Sequence, residues 1–145
     1  MNRKLQTARA LSLGDWLTLA QAWLLLLIAD LGLRVLPFPR VQAFATPDLP
    51  REPRAVTPPP IQRLHRLVDI AARHHVYPMT CLRRALVLQR LLRARGADAH
   101  LRIGVRKDAG ALHAHAWVEC GGQIIGQPER VTERYARLVS ANVEA

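Results

Sequence analysis

Cysteine is scarce in this chain of 145 residues: Cys81 and Cys120 are the only two, and they allow at most one disulfide. This excludes a secreted scaffold that is held together by several disulfides. No small-residue cleavage site follows a short apolar stretch at the N-terminus, so the sequence favours a cytoplasmic protein with both thiols reduced. Half of the residues are apolar and 22% are charged, which is typical of one globular domain.

Acidic and aromatic residues are also few. Eleven Asp and Glu stand against 21 Lys and Arg, which gives a formal net charge of +10, and only 5% of the residues are aromatic. Nucleic-acid binding is one explanation of such a charge. However, 19 of the 21 basic residues are arginines scattered along the chain, without a dense block or interleaved aromatic rings on which bases would stack. We therefore expect a basic surface that suits an acidic peptide or protein partner, and no nucleic acid.

A long uncharged apolar run is missing as well. In the most hydrophobic segment, 16–36, the longest such run is Trp16–Ala29, with 14 residues. This is shorter than the roughly 20 residues that cross a bilayer, and Asp30 and Arg34 interrupt its continuation. The segment predicts a helix, capped by Asp15, that is buried or covered by a partner. Peripheral membrane contact is the alternative interpretation.

The order of segments predicts three regions. Residues 1–46 form an N-terminal helical region, with a short helix at 3–11 and the long apolar helix that Pro37 ends. Residues 47–60 hold six prolines in 14 positions and are expected to be an extended surface connector. Residues 61–145 form the core.

Within this core the hydrophobic period changes once. Apolar residues at helical spacing predict a helix from Ile61, and another that Thr80 caps and Gly96 ends. Beyond Gly96 the apolar residues alternate, which predicts strands at 99–105 and 111–119 and a third in "QIIGQ". Helices followed by an antiparallel sheet make an α+β fold.

Cys81 falls in the first turn of the second core helix, where free backbone N–H groups and the helix dipole favour a thiolate. In the second strand, His113, His115 and Trp117 share one face, and Cys120 lies on the other. A cysteine at a helix N-terminus and a histidine on a strand are common to papain-like and transglutaminase-like enzymes. Cys81 and His115 are therefore candidates for chemistry, and Cys120 is expected to be inert.

A metal site is a second hypothesis for the same histidines. His113 and His115 are two residues apart, and His74 or His75 would have to supply a third ligand. A His-x-His pair without another ligand nearby is a weak signal. We expect neither a metal nor a cofactor.

The stretch "YPMTCLRRALVLQRLLRARG", followed by "LRIGV" and "HAHAWVECGGQIIG", resembles the leader peptidases of lasso-peptide biosynthesis, which are transglutaminase-like cysteine proteases. In that family a helix that begins Cys-Leu-x-Arg precedes Leu-x-Ile-Gly-Val and a strand with His-Ala-Trp-Val-Glu. The apolar helix that ends in "VLPFPR" is also similar. The resemblance covers nearly the whole chain. It implies a helix bearing the cysteine, packed on a small antiparallel sheet bearing the histidine, with apolar helices before it.

The resemblance implies that Cys81 is the nucleophile and His115 the base. The family's third residue is an acid, and its place is taken here by Gln127, whose oxygen can accept the Nδ1–H of His115 but carries no charge. The backbone N–H of Cys81 is expected to stabilise the oxyanion. Trp117, on the face of His115, and Arg84, on the helix of Cys81, are expected to line the substrate cleft.

The turn between the second and third strands decides whether Gln127 meets His115. A two-residue Gly-Gly turn would pair Gln127 with the neighbour of His115 and direct it away. A three-residue loop with a bulge would pair it with His115 itself, and this is the geometry that we expect. Glu129, Asp108 or a Cys–His dyad without a third residue are the alternatives.

The implied function is a cysteine protease that removes the leader peptide from a ribosomally synthesised lasso-peptide precursor. The implied partners are a separate leader-recognition protein and an ATP-dependent lasso cyclase, because the chain has no Walker-type glycine loop of its own. The apolar N-terminal region does not look like a compact leader-binding module, which predicts a stand-alone peptidase. The alternatives are a non-catalytic maturation subunit, which the glutamine at the third position would fit, and a small basic nucleic-acid-binding protein.

Overall fold

A computed structural model describes residues 11–49, 58–126 and 136–137 of the chain. These residues form helices and then an antiparallel sheet, so the predicted α+β class is confirmed. The elements are α1 (Leu13–Val35), α2 (Phe38–Ala45), α3 (Pro58–Arg73), α4 (Cys81–Ala94), β1 (Ala99–Asp108), β2 (Ala111–Cys120), β3 (Gln123–Ile124) and β4 (Ala136–Arg137). The helix predicted at 3–11 lies outside the described residues.

The first helix, α1, begins earlier than predicted, because Ser12 and not Asp15 is its N-cap. The Ser12 hydroxyl accepts the backbone N–H of Asp15 at 3.2 Å, and the Asp15 carboxylate accepts the N–H of Ser12 at 2.9 Å. This reciprocal capping box pairs two N–H groups that would otherwise lack partners. Arg63 of α3 also donates to Asp15 at 2.8 Å and holds the pKa of the Asp15 carboxyl well below its usual range. The start of α1 is therefore held in place both by its own capping box and by the contact with Arg63 of α3.

Prolines begin helices in this chain as well as ending them. Pro37 follows the end of α1, as predicted, but it is also the N-cap of α2, a helix that the sequence had not indicated, and Pro39 lies in the first turn of α2. Proline fits there because the N–H it lacks would have had no partner within the helix. The same applies to α3, which begins at Pro58. The connector predicted over 47–60 therefore ends before Pro58.

The sheet has the strand order β3-β2-β1-β4, and each neighbouring pair is antiparallel. The hairpin of β1 and β2 pairs from Ala99 with Cys120 to Asp108 with Ala111. Its two-residue turn, at 109–110, has positive φ at both positions, as tight hairpin turns require. The first strand thus extends three residues beyond its predicted end at 105.

One apolar core joins the helices to the sheet, and α4 lies at its centre, in contact with α1, α2, α3, β1 and β2. Its members include Ala22, Leu26, Val41, Leu64, Val68, Leu86, Leu91, Leu92, Leu101 and Val118. Burial of these side chains is the main source of stability for a domain of this size. The helix that begins at Cys81 is therefore held by packing against most of the fold.

A buried carboxylate ties α1 to α4. Asp30 is 1% exposed and pairs with Arg34 at 3.1 Å and with Arg83 of α4 at 2.6 Å. The Nη1 of Arg83 also donates to the Thr80 hydroxyl at 3.0 Å. A buried charge needs such partners because its desolvation is costly. Asp30 is thus connected, through Arg83, to the residue that precedes Cys81.

We expect Asp30→Ala to lower the free energy of unfolding by about 3 kcal/mol, because it leaves the Arg83 side chain, only 19% exposed, without its carboxylate. Urea denaturation at pH 7 measures the effect. Asp98→Ala is the matched control: this carboxylate is 64% exposed and pairs with Arg93, so its removal should cost less than about 1 kcal/mol. Equal losses in both variants would contradict a structural role for Asp30.

The helix α1 has 23 residues and is long and apolar enough, by length and composition, to cross a membrane. From the uncharged run of 14 residues, the sequence had predicted a segment too short to cross a membrane. The core helix of a soluble protein meets the same criterion, and part of α1 is buried in the core.

The other side of α1 exposes five apolar residues, which we call the apolar strip. They follow one another at intervals of seven, four, three and four residues, so that they share one helix face. The apolar strip consists of Leu17, Leu24, Ile28, Leu31 and Val35.

Candidate active site

Cys81 is the first residue of α4 and is half-buried. Thr80 is the N-cap, as predicted, and its carbonyl accepts the backbone N–H of Arg84 at 3.2 Å. Its hydroxyl, however, makes no capping hydrogen bond and is engaged by Arg83 instead. Since the first turn of a helix has N–H groups without intrahelical acceptors, the Thr80 side chain leaves these groups available beside the thiol.

His115 lies on β2, opposite Gly104 of β1, and is half-buried. Its ring stacks with Trp117 at a centroid distance of 6.1 Å and an interplanar angle of 25°. Cys81 and His115 line the same cavity, which lies between α3, the start of α4 and β2 and has a volume of about 320 Å³. Arg84 and Trp117 line it too. The structure therefore brings together four of the residues that the sequence had indicated.

Trp117 is held in place by a chain of polar contacts along the sheet. It is 1% exposed, and its Nε1–H donates to Glu119 at 3.2 Å. Glu119 in turn accepts from the Nε–H of Arg102 on β1 at 3.4 Å. Glu119 lies too far along the strand to touch the imidazole of His115, at roughly 3.3 Å per residue. It acts on that ring through Trp117, whose indole it fixes.

Two further cavity residues come from α3 and were missed in the sequence. They are His65 and Asp69, one turn apart beside buried Val68. Asp69 accepts from Arg84 at 2.7 Å and from Arg73 at 2.6 Å. We call His65, Asp69 and Arg84 the polar wall of the cavity. The i, i+4 spacing on an apolar helix face was the available signal, but only the packing of α3 on α4 shows what these residues face.

The His65 imidazole is neutral near pH 7. Burial lowers its pKa from the ordinary value, the nearby Arg84 guanidinium lowers it further, and Asp69 partly opposes both effects. A neutral imidazole presents one N–H donor and one nitrogen acceptor. The polar wall therefore carries the charges of Asp69 and Arg84 alone.

The turn between β2 and β3 differs from the expected geometry. Cys120 pairs with Gln123 and Glu119 with Ile124, so the turn has two residues, Gly121 and Gly122. Both have positive φ, 60° and 79°, which glycine adopts without steric cost. A tight turn is therefore accessible, and the prediction of a three-residue loop with a bulge was wrong.

Two of the three residues considered for the third position of the candidate site lie outside the described residues. Gln127 and its alternative Glu129 both lie outside them. Asp108, the other alternative, ends β1 opposite Ala111, whereas His115 lies opposite Gly104. Four strand residues separate these positions, about 13 Å at roughly 3.3 Å each. The register therefore argues against Asp108.

The other chemically interesting residues lie elsewhere. The ring of His75 stacks on Trp23 of α1 at 4.5 Å, and His113 is exposed. In the part of the chain that is described, no three His, Cys, Asp or Glu side chains are placed to hold a metal ion. Cys120 packs against the core, and burial, aided by Asp98, raises the pKa of its thiol. The two cysteines form no disulfide.

The backbone of Gly126 lies directly against the His65 ring. A Cβ at this position would be 2.2 Å from ring atoms of His65, and Gly126 has φ of +63°. Both the contact and the backbone conformation require glycine. Gly126, two residues after β3, thus packs on His65 of the polar wall.

We expect Gly126→Ala to be much more destabilising than Gly121→Ala. Both residues have positive φ, which costs alanine about 1 kcal/mol, but nothing lies within 4 Å of a Cβ at Gly121. At Gly126 the clash with His65 adds roughly 1–3 kcal/mol. Urea denaturation of the two variants gives the difference. Equal losses would mean that the segment does not pack on His65.

A thiol at a helix N-terminus and an imidazole on an antiparallel strand, lining one cavity, form the arrangement that is found in Cys–His enzymes with a papain-like or transglutaminase-like core. A family model described as the transglutaminase-like superfamily matches residues 23–140. The chain belongs to this superfamily. The fold that the sequence motifs implied is thereby confirmed.

One similar protein is the microcin J25-processing protein McjB of Escherichia coli. It is 37% identical to this chain over 60 residues, which are 41% of this chain and 28% of McjB. The match thus spans less than a third of the length of that relative. No solved structure matches the chain.

Proposed function

We propose that this protein is a cysteine protease that removes the leader peptide from a lasso-peptide precursor. The observation that carries the proposal is that Cys81, at the start of α4, and His115, on β2, line one cavity of a transglutaminase-like fold. The substrate class is supported by the motifs around both residues and by the similarity to a microcin-processing protein.

In this mechanism His115 accepts the proton of the Cys81 thiol, and the thiolate attacks the carbonyl carbon at the junction of leader and core. The imidazolium returns the proton to the departing nitrogen, which frees the amino terminus of the core. Water, deprotonated by His115, then attacks the thioester. The leader leaves with a carboxylate, and the Cys81 thiol is restored.

The negative charge of the tetrahedral intermediate develops on the former carbonyl oxygen. The backbone N–H of Cys81, in the first turn of α4, is our candidate donor for this oxygen, assisted by the helix dipole. Trp117 stacks on His115 and limits where its ring can lie. The turn between β2 and β3 has two residues, which argues against a contact between Gln127 and His115, so we propose that Cys81 and His115 act without Gln127.

The partners that we propose are a separate leader-recognition protein and an ATP-dependent cyclase that joins the freed amine to a side-chain carboxylate. The apolar strip of α1 is our candidate docking surface for the recognition protein. Its members are exposed and lie on one helix face, which suits a complementary apolar surface. We place the protein in the cytoplasm, and peripheral membrane contact through the same strip is the alternative.

A reconstituted reaction tests the function. The precursor encoded nearest to this protein is incubated with the recognition protein and with or without this chain, and the products are identified by mass spectrometry. We expect a free leader and a core with a new amino terminus only when this chain is present. An intact precursor, with this chain shown to be folded, would favour a non-catalytic maturation subunit.

The net charge favours nucleic-acid binding, but the structure supports it less well, because many arginines form ion pairs with carboxylates of the same chain. Those that pair with carboxylates are Arg34, Arg63, Arg73, Arg83, Arg84, Arg93 and Arg102. A salt titration of DNA binding distinguishes the two functions, since phosphate contacts make affinity fall steeply with salt. We expect weak binding at low salt and no specific complex.

A further inference from the structure

The strand β2 is paired along one edge and mostly open along the other. β1 covers the inner edge over the whole strand. On the outer edge, which faces away from β1, β3 pairs with Glu119 and Cys120, and the Ile125 N–H donates to the Val118 carbonyl at 2.9 Å. No residue in the described ranges pairs with the outer edge over 111–117. An open strand edge presents N–H and C=O groups to which another chain can bond.

The main-chain groups at this outer edge belong to alternate residues. In an antiparallel pair, every second residue exchanges hydrogen bonds with the strand beside it, and the residues between face the other way. The Val118 carbonyl faces β3, so Ala116, Ala114 and Leu112 direct their N–H and C=O groups to the same side. The tight turn of the β1–β2 hairpin gives the same result, since it makes Ala111 and every second residue after it bond to β1.

Leu112 and Ala114 lie on the accessible part of this edge. Both are exposed, Leu112 to 73%. The described end of the chain beyond β3 turns away from them, because Gly126 has a φ of +63°, outside the range of extended backbone, and packs on the His65 ring of α3. The two residues thus offer their main-chain groups on the side that faces away from β1.

The cavity that Cys81 and His115 line reaches the same edge. Its lining includes four consecutive residues of β2, 115–118, and also Ile125, which lies beside that strand. Because consecutive side chains of a strand point to opposite faces, a cavity that contacts all four residues lies along the strand edge and not on one face of the sheet. A chain that followed the outer edge past Ala114 would therefore enter this cavity.

We propose that the outer edge of β2 is the peptide-binding surface of this protein, and that the substrate adds to the sheet there as an extended strand, with main-chain hydrogen bonds to Leu112 and Ala114. Alternate residues of such a peptide direct their carbonyl groups away from β2, toward the helices that form the other walls of the cavity, where Cys81 lies. The carbonyl that Cys81 attacks thus belongs to a residue without a bond to β2. That the peptide is cleaved rests on the function proposed above, whereas its binding as a strand can be tested without cleavage.

Amide hydrogen exchange, followed residue by residue by NMR, tests whether the edge is open. The protein is full-length Cys81→Ala, so that the proposed reaction consumes no peptide. Without peptide, we expect fast exchange at Leu112 and Ala114 and slow exchange at His113 and His115, whose N–H groups bond to β1. Slow exchange at all four residues would overturn the proposal, because the edge would then already be covered by the chain itself.

The probe is a synthetic peptide that spans the junction of leader and core in the precursor encoded nearest to this protein. At ten times its Kd, we expect exchange at Leu112 and Ala114 to slow about tenfold, since only the free fraction of the protein exchanges. His113 and His115 are the internal controls and should change by less than about twofold. Absence of binding, or binding that leaves Leu112 and Ala114 unprotected, would refute strand addition. Protection that rises with protein concentration alone would assign the edge to a second copy of this chain instead.

Methylation of single backbone nitrogens in the same peptide gives a matched set of controls. Each methyl group removes one N–H donor and leaves the side chain in place. We expect every second position to lose about fivefold in affinity, the equivalent of one net hydrogen bond, and the positions between to change by less than about twofold. Equal sensitivity at neighbouring positions, or none at any, is the result that excludes a strand.

The two proposals fail separately. A parent protein that releases the leader, although the peptide leaves Leu112 and Ala114 unprotected, loses only the strand addition. A protected edge in Cys81→Ala, beside a parent protein that leaves the precursor intact, keeps the peptide-binding edge and loses the protease function.

Discussion

Replacement of Cys81 by alanine is expected to reduce leader removal by about 10⁴-fold or more. The variant keeps the helix, since alanine is the best helix former, but it removes the sulfur that would form the covalent intermediate. Losses of the nucleophile in related catalytic constellations are of this size or larger. Single-turnover cleavage of the precursor, followed by mass spectrometry, measures the rate.

Cys120→Ala is the control for this variant. Cys120 is the chain's other thiol, it packs against the core, and burial raises its pKa, so we expect activity within about twofold of the parent protein. A Cys81→Ala protein that releases the leader as fast as the parent would remove Cys81 as the nucleophile and with it the protease proposal.

Replacement of His115 by alanine is the second variant with a large expected effect, a loss of about 10³-fold, because general acid–base catalysis contributes roughly 10²–10⁴. Without the His115 imidazole, the group that we propose to take the thiol proton and return it to the leaving amine is gone. The same variant should slow the alkylation of Cys81 by iodoacetamide at neutral pH. This second measurement connects the effect to the thiol and not to peptide binding.

His113→Ala is the matched control for His115→Ala. His113 lies two residues earlier on the same strand face but is exposed, so its loss should change both rates by less than about twofold. If His113→Ala lost as much activity as His115→Ala, or if His115→Ala left both rates unchanged, His115 would not be the base.

The elements that bear Cys81 and His115 were predictable because their signals are local. Pro78 and Thr80 set the start of α4, and strict alternation set β2, so the helix position of the thiol and the strand face of the imidazole followed from the sequence. The length of the turn at Gly121–Gly122 was not predictable, since two glycines are compatible with both loop lengths. The structure has the two-residue turn, in which both glycines adopt positive φ.

The polar wall could not be predicted from the sequence, for a different reason. Asp69 and Arg84 are 15 residues apart on separate helices, and their ion pair exists only because α3 packs on α4. The contact between His65 and Gly126 spans an even longer stretch. Likewise, α2 was missed because a proline after one helix marks its end, whereas the start of the next depends on the side chains that it buries, such as Val41.

The link from Asp30 to Arg83 has a consequence for any attempt to isolate a minimal fragment. A truncation that began at α3 would retain the thiol and the imidazole, yet it would strip Arg83 of its carboxylate and uncover the side of α4 that Leu26 now shields. The first turn of α4 would lose its anchor next to the proposed nucleophile. The proposed catalysis therefore depends on an N-terminal helix that contributes no reacting atom.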